Sequence, residues 1–280
     1  MAAPDFVAVG HVTLDHLGAA VRPGGAALYA AVTAHRLGLS AGLLTSHQQD
    51  FPLEQLPPAI EVVTVPAPLT TVFEHLSSDR GRRMKVNSVA ERLTAADVPE
   101  DWGEAPLVLL APVLDEVDAG LVAAFADATV GAAAQGWLRS LDAEGAVTER
   151  RWSVPGFLLA RLQSVFLSVE DAPGQESAIV EAFQKVPIGA LTAGKTGALL
   201  FVNGERYEVR PHWVRETDGT GAGDVFAAAF LIEYAGHGDP WVAAEVAACA
   251  AALSVQGEGW TAVPDRKELA AALERYRAGS

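Results

Sequence analysis

The sequence is poor in cysteine, in aromatic residues and in positive charge. Cys249 is the one cysteine among 280 residues, which excludes an internal disulfide and any metal site built from several cysteines. Aromatic residues make up 7% of the chain although half of it is hydrophobic, and the abundance of Ala, Val and Leu suits helices packed over strands. Asp and Glu outnumber Lys and Arg by 35 to 20, for a net charge of −15. Because this field repels phosphate backbones and anionic lipid, we expect neither nucleic acid nor a membrane as a partner.

Targeting signals are also lacking. The opening residues, MAAPDFVAVG, have neither the positive region nor the long apolar core of a signal peptide, and no uncharged apolar run reaches about 18 residues. We therefore expect a cytoplasmic protein. The oligomeric state is left open, with a homodimer as one alternative.

Strand and helix patterns alternate along much of the chain. FVAVG at 6–10 predicts a buried strand, the segment from Gly24 to Gly38 predicts a helix, and GLLTS at 42–46 predicts a second strand. This order suggests a right-handed parallel crossover. Further patterns predict strands at 107–114, 164–169, 188–194, 197–202 and 206–211, helices at 116–127 and 175–185, and three more helices after Asp224, the last from about Asp265.

Short β-like segments dominate residues 60–88, where EVVTV, TTVFEHL and GRRMKV follow one another. We predict that this part of the chain leaves the main sheet as a small β lid. The whole pattern predicts an α/β fold, with a doubly wound and mostly parallel sheet flanked by helices in a single domain over 1–280.

The segment ETDGTGAGDVFAAAFLIEYAG carries the strongest chemical signal. Its glycines run directly into a long helix, so Gly221, Ala222 and Gly223 would present backbone amides at a helix N-terminus, where a phosphate is favoured. Asp224, in the first turn, would accept the proton of an attacking hydroxyl. The structural alternative is a tight glycine turn in which Asp224 only interacts with the helix dipole.

DGTGAGDVF resembles the C-terminal signature of the ribokinase-like PfkB carbohydrate kinases, usually DTxGAGDxF, with Gly219 as the one departure. The resemblance implies that Asp224 is the catalytic base and that the amides of residues 221–224 form an anion hole. It also implies a monovalent-cation loop, for an ion such as K⁺, that involves Asp218 and Thr220.

The N-terminal segments VAVGHVTLDHLG and RPGGAALYAAVTAHRLG resemble the first strand and the GG-containing helix of the same family. This implies that Asp15 binds substrate hydroxyls and that Gly24 and Gly25 let the backbone approach the substrate. Tyr29 stands where many members carry Asn and is a further candidate for substrate binding. Since eight residues separate Asp15 from Gly24, we expect no lid strands between them and a lid made mostly of the hairpin at 70–87.

Two more residues are candidates for substrate contacts. Gln135 and Arg139 flank Trp137 and could reach the substrate hydroxyls, whereas Trp137 has core packing as its alternative.

Three segments resemble the nucleotide and metal sites of the family. LTAGKTGALLF resembles the phosphate loop and implies donor contacts, GEGWTAVP stands where relatives line the adenine and cation sites, and LSVED stands in place of the NxxE motif for magnesium. In that last motif Ser168 replaces Asn and Asp171 replaces Glu. The implied ligands are Thr192, Gly194, Lys195, Gly197, Gly257 and Gly259 for ATP, and Glu170 and Asp171 for Mg²⁺.

A competing interpretation comes from GALTAGKT at 189–196, which satisfies the P-loop pattern GxxxxGK[ST]. A P-loop requires a helix directly after its Lys and Thr, yet ALLFVNGERYEV follows and predicts a hairpin. The resemblance to the PfkB carbohydrate kinases instead implies an ATP-dependent kinase for a hydroxyl of a small sugar or polyol. The alternatives are a nucleoside kinase of the same fold and a catalytically inactive sugar or nucleotide sensor.

Overall fold

The computed structural model describes residues 2–78 and 81–279. Its strands are β1 (Phe6–Val9), β2 (Thr13–Leu17), β3 (Ala20–Gly24), β4 (Ala41–His47), β5 (Ile60–Pro66), β6 (Thr71–Ser78), β7 (Gly81–Ser88), β8 (Leu107–Leu110), β9 (Thr129–Ala133), β10 (Arg139–Leu141), β11 (Val147–Glu149), β12 (Ser164–Ser168), β13 (Ile188–Thr192), β14 (Ala198–Val202) and β15 (Glu205–Val209). The α-helices are α1 (Ala26–Arg36), α2 (Gly156–Arg161), α3 (Glu176–Phe183), α4 (Ala222–His237), α5 (Pro240–Ser254) and α6 (Arg266–Ala278). Short 3₁₀ helices span Leu53–Gln55, Ala95–Asp97, Glu100–Glu104, Ala119–Ala124, Ala134–Leu138, Gly194–Thr196 and Gly259–Ala262.

The main sheet has the strand order β15-β14-β13-β12-β9-β8-β1-β4-β5. The strands from β13 to β5 pair in parallel, and β14 and β15 extend one edge in antiparallel. Side chains of β1 alternate between two cores, with Phe6 and Ala8 facing the helices α1, α4, α5 and α6, and Val7 and Val9 facing the opposite side. The predicted α/β fold with a mostly parallel sheet is confirmed.

Parallel pairing gathers the loops that matter at one edge of the sheet. The loops after β1, β8, β9, β12 and β13 all leave from the carboxyl ends of neighbouring parallel strands, where ligands of open α/β sheets bind. Helix α4 packs against α1 and α5 and contacts β8, β9 and β12. No helix within residues 2–78 and 81–279 has the length and apolarity needed to span a membrane.

A four-stranded small sheet, in the order β3-β2-β6-β7, stands beside the main one. The expectation that no lid strands lie between Asp15 and Gly24 was wrong, because β2 and β3 form a hairpin that turns at Gly18, with φ of 65°. Strand β2 then pairs in parallel with β6. Residues 79 and 80 of the predicted hairpin at 70–87 lie outside the described residues.

The structure differs from the predictions in three places. Strand β5 pairs with β4 in the main sheet. In this part of the chain the small sheet therefore begins at Thr71 and not at about residue 60. The predicted helix at 116–127 is a short 3₁₀ helix, Ala119–Ala124. Strand β9, which no pattern predicted, lies near the centre of the main sheet.

Candidate active site

The start of helix α4 forms the centre of the site. Its N-cap is Gly221, whose φ of 78° lies in the left-handed region that favours glycine. A Cβ at this position would collide with the ring of Tyr29, so any side chain is excluded. The amide of Ala222 donates to the Gly219 carbonyl at 3.4 Å, and the amide of Val225 donates to the Gly221 carbonyl at 2.9 Å.

The two amides between these bonds belong to Gly223 and Asp224, and neither has a hydrogen-bond partner among the residues that the structure describes. Both residues border a large cleft, and a Cβ on Gly223 would meet no atom within 4 Å. Free amides at the positive end of a helix dipole suit a phosphate group or a developing oxyanion. The residues of the predicted anion site, Gly221, Ala222 and Gly223, thus line the cleft, but the Ala222 amide is engaged with Gly219, and the free amides are those of Gly223 and Asp224.

Asp224 is only 8% exposed. Burial raises its pKa to about 7, the charge of Asp171 acts in the same direction, and the charge of Arg139 opposes both. The amide of Gln135 donates from Nε2 to Oδ1 of Asp224 at 3.4 Å. A carboxylate whose pKa lies close to neutral pH is well suited to accept and release a proton.

Arg139 supports Gln135 from behind. Its Nη2 donates to Oε1 of Gln135 at 2.7 Å, and its Nη1 donates to the Val113 carbonyl at 3.3 Å. Burial lowers the pKa of Arg139, although the charges of four carboxylates oppose that change: those of Asp171, Asp224, Glu116 and Asp15. Gln135 and Arg139, predicted to contact substrate, are thus connected to Asp224 through their own hydrogen bonds.

The cleft beside Asp224 has a volume of about 690 Å³. One part of its wall is the predicted phosphate loop, with Thr192, Gly194, Lys195 and Gly197. The Lys195 ammonium is 70% exposed and lies 3.1 Å from Oε2 of Glu216. Because β14 rather than a helix follows this loop, the P-loop interpretation is wrong.

Another part of the cleft wall is apolar and aromatic. It is contributed by α5 and by the segment after β15, and consists of Ala248, Ala251, Ala252, Val255, Pro211, His212, Trp213 and Val214. Trp213 leaves 75% of its surface exposed. The sequence patterns did not identify this wall, since small residues on a helix indicate close packing as readily as a ligand surface.

Glu170 and Asp171 line the same cleft. Oδ2 of Asp171 accepts a hydrogen bond from the Ser168 amide at 2.8 Å. Burial raises the pKa of Asp171, whereas this hydrogen bond and the charge of Arg139 oppose the rise. Mg²⁺ is commonly held by one or two carboxylates together with substrate phosphates, so the donors present on this wall fit the predicted magnesium ion.

Asp15 lies across from the cleft on β2. Its Oδ1 accepts a hydrogen bond from the Thr13 hydroxyl at 2.9 Å. Burial raises the pKa of Asp15, while that hydrogen bond and the charges of His75, Arg139 and His16 oppose the rise. A Cβ at position 24 would collide with this carboxylate. Glycine at this position therefore leaves room for the Asp15 side chain.

A cavity of about 20 Å³, the volume that one water molecule needs, adjoins Asp15. It is lined by Asp15, Leu17, Arg22, Pro23, Tyr29, His75, Asp218, Thr220 and Gly259. Tyr29 therefore borders this cavity and also packs against Gly221 at the helix start. At Gly25, the φ of 105° and the nearby His11 carbonyl exclude a side chain.

The predicted cation ligands Asp218 and Thr220 are close together, but Asp218 is already engaged. Its Oδ1 accepts from the Thr220 amide at 3.0 Å. Its Oδ2 accepts from Nη1 of Arg22 at 3.2 Å and from the Gly259 amide at 3.3 Å. Burial raises the pKa of Asp218, yet these hydrogen bonds and the Arg22 charge bring it below its ordinary value. The geometry places a guanidinium where the sequence predicted a monovalent ion, so the residues present do not fit that ion.

Gly257 and Gly259 do not lie where the ATP prediction put them. Neither is among the residues that line the large cleft. A Cβ on Gly257 would press on Ala262, and Gly259 lines the small cavity instead. Arg22 and His75 are the residues of this region that sequence reasoning missed, because nothing in their local patterns distinguishes them from other strand residues.

Comparison with known proteins agrees with this geometry. Residues 166–266 match the model of the pfkB family carbohydrate kinases, which confirms the resemblance seen in the sequence, and a search of curated proteins found no significant match. A pyrophosphate-dependent kinase of the ribokinase family has a similar structure, with a TM-score of 0.80 at 22% identity over 95% of this chain and 99% of that one.

Two further structures have the same fold. A pyrophosphate-dependent myo-inositol-1 kinase converted into a myo-inositol-3 kinase gives a TM-score of 0.78 at 21% identity over 97% of this chain and 99% of its own. Ribokinase from Arabidopsis thaliana, complexed with ribose and ATP, gives 0.70 at 18% identity over 97% and 99%. The ribokinase-like fold is thus shown over nearly the whole chain.

Proposed function

We propose that this protein is a kinase that transfers the γ-phosphoryl group of ATP to a hydroxyl group of a small sugar or polyol. The observation that carries the proposal is the position of Asp224. This buried carboxylate, with its pKa raised to about 7, lies beside two free amides on the wall of a cleft large enough for a nucleotide. Such a combination serves phosphoryl transfer better than it serves a structural turn.

The acceptor hydroxyl would be held on the Asp15 side and directed toward Asp224. Asp224 takes the hydroxyl proton as the acceptor oxygen forms its bond to the γ-phosphorus, and the bond between that phosphorus and the departing ADP oxygen breaks. The amides of Gly223 and Asp224 donate to oxygens of the transferred group, whose charge they stabilise. Gln135, held by Arg139, keeps the Asp224 carboxylate in one orientation.

Magnesium would be held by Glu170 and Asp171 and would neutralise charge on the donor phosphates. The phosphate loop with Thr192, Gly194 and Lys195 would hold the same phosphates from the other wall of the cleft. Because Lys195 is exposed and paired with Glu216, we expect it to change partners when a donor binds.

Pyrophosphate is the competing donor, since two of the similar structures are pyrophosphate-dependent kinases. The apolar and aromatic wall favours ATP. A diphosphate alone would leave most of a cleft of about 690 Å³ unfilled, and pockets of this size normally enclose a molecule as large as a nucleotide. Alanine side chains and Trp213 in this wall offer an uncharged surface to an adenine ring, which pyrophosphate lacks.

One set of assays distinguishes ATP from pyrophosphate as the donor and also tests the sensor alternative. ADP release from Mg-ATP and phosphate release from Mg-pyrophosphate are measured with a panel of sugars, inositols and nucleosides. We expect ADP release with a sugar or polyol and a loss of at least about a hundredfold in turnover for Asp224→Asn, with acceptor binding retained. Turnover with pyrophosphate but not with ATP would refute ATP as the donor. Binding of donor and acceptor without product would favour the sensor.

Asp239→Asn is the matched control for this variant. Asp239 caps the start of α5 by accepting from the Trp241 and Val242 amides at 2.9 and 3.0 Å, and asparagine caps a helix about equally well. This control should keep full turnover. Equal turnover by Asp224→Asn and the parent would remove the proposed base.

A further inference from the structure

Arg22 joins three separate parts of the chain. It lies on β3 of the small sheet, and its guanidinium contacts Asp218 at 3.2 Å through Nη1 and Glu258 at 2.8 Å through Nη2. Asp218 opens the glycine loop before α4, and Glu258 precedes the 3₁₀ helix Gly259–Ala262. One side chain thus bridges two acidic groups, one from the segment before α4 and one from the segment after α5.

These contacts fill the surroundings of the Asp218 carboxylate. One oxygen receives the Thr220 amide, and the other receives both Arg22 and the Gly259 amide. The Asp218 side chain is only 14% exposed, whereas that of Arg22 is 37% exposed. A metal ion at this oxygen would have to displace the guanidinium. If both stayed, two positive charges would lie side by side in a partly buried place, which is unfavourable.

A guanidinium provides what a monovalent ion would provide here. It carries one permanent positive charge, and its planar fork can bond two carboxylates at once. Unlike a bound ion, it needs no shell of oxygen ligands and does not dissociate. The charge balance of the loop is therefore set by the covalent chain rather than by the salt in solution.

We propose that the Arg22 guanidinium is a built-in replacement for a monovalent cation at Asp218, so that the glycine loop keeps its conformation without potassium or sodium. Arg22 also lies opposite Asp15 in the register of the β2–β3 hairpin. The hairpin that presents the acceptor ligand therefore also holds the loop that leads to the free amides. The inference about Arg22 rests on the proposed function only for its effect on donor binding.

The first test uses the unmodified protein and thallium(I), a heavy substitute for potassium. Crystals are soaked in thallium acetate, and anomalous scattering locates the ions. We expect no thallium within contact distance of Asp218 in the parent, and a new thallium position there in Arg22→Met. Thallium at Asp218 in the parent would overturn the proposal, as would its absence from the variant.

The second test measures thermal unfolding in potassium chloride and in tetramethylammonium chloride at equal ionic strength. The parent and Arg22→Lys should have the same Tm in both salts, since each carries its own charge. Arg22→Met should have a higher Tm in potassium. A potassium-dependent Tm in the parent would refute the proposal even if Arg22→Met failed to fold.

The matched control is Arg277→Met. Arg277 donates from Nε to Glu245 at 2.9 Å, and the two side chains are 48% and 34% exposed, close to the setting of Arg22 but on α6. This control should show no preference for potassium. A preference equal to that of Arg22→Met would mean that the salt effect is unspecific, which would contradict the proposal.

Donor binding gives a third measurement. The affinity for Mg-ATP, followed by calorimetry in tetramethylammonium chloride, should fall about fivefold in Arg22→Met, the size expected for losing a partly exposed ion pair, and potassium should restore it. Unchanged affinity would contradict the role of Arg22 in holding the loop. Absence of Mg-ATP binding by the parent would instead refute the proposed donor, while the thallium result would stand.

Discussion

Asp224→Asn should make the protein more stable while it abolishes turnover, and the gain should depend on pH. The folded protein raises the pKa of Asp224 from its ordinary 3.8 to about 7, chiefly by burial. Between these two values the folded chain keeps a proton that the unfolded chain has lost. Stability therefore falls as pH rises from about 4 to 7 and is constant above that.

The size of the effect follows from the same pKa difference. Each pKa unit corresponds to about 1.36 kcal/mol, so ionising Asp224 costs the folded state up to about 4 kcal/mol above pH 7. Asparagine has a similar shape and does not ionise, which removes this cost. We expect Asp224→Asn and the parent to have equal unfolding free energies near pH 3.5, and the variant to be more stable by roughly 2–4 kcal/mol at pH 8.

Urea unfolding at a series of pH values measures this difference directly. Subtracting the parent curve from the variant curve cancels the other titrating groups, because only Asp224 differs. A flat difference for Asp224→Asn would show that this carboxylate titrates normally, and the reasoning that makes it a base near neutral pH would fail.

Two further predictions concern the surroundings of the base and of the acceptor. Arg139→Met should raise the pKa of Asp224, since the charge of Arg139 lowers it, so the acidic limb of kcat/KM against pH should move upward by about one unit; an unmoved limb would contradict this. Gly24→Ala should raise the acceptor KM at least about tenfold because its Cβ would press on Asp15, whereas Gly236→Ala, whose Cβ would meet nothing within 4 Å, should not. An unchanged KM in Gly24→Ala would mean that Asp15 does not bind the acceptor.

Parts of the fold and site were predictable because local chemistry determined them. Gly221, before α4, had to be glycine, as its left-handed φ and the ring of Tyr29 show. A requirement of this kind is visible in a single sequence, because few other structures ask for it. The strands of the parallel core were visible for a similar reason, since continuous apolar runs indicate burial on both faces.

Strand β9 escaped prediction because its residues are chosen by neighbours and not by strand propensity. A Cβ on Gly131 would approach the Ser164 hydroxyl to 2.9 Å and Leu109 and Leu231 to 3.3 Å. Small residues are therefore required where α4 packs closely over the sheet, although Gly and Ala are depleted in strands generally. The β2–β3 hairpin escaped because its turn is only two residues long, a length that the count of residues from Asp15 to Gly24 did not rule out.

The proposed donor and acceptor sides of the site differ in how the chain builds them. The phosphate loop, the apolar segment after β15 and the glycine loop all fall between residues 188 and 224, so one stretch of sequence reports most of the donor side. The acceptor side joins β2, β3, α1, β6 and the segment from Gln135 to Arg139, which only folding brings together. Side chains gathered in this way, such as Arg22 and His75, carry no local pattern, and they surround Asp15. A change of acceptor can therefore occur through residues that leave every recognisable motif intact.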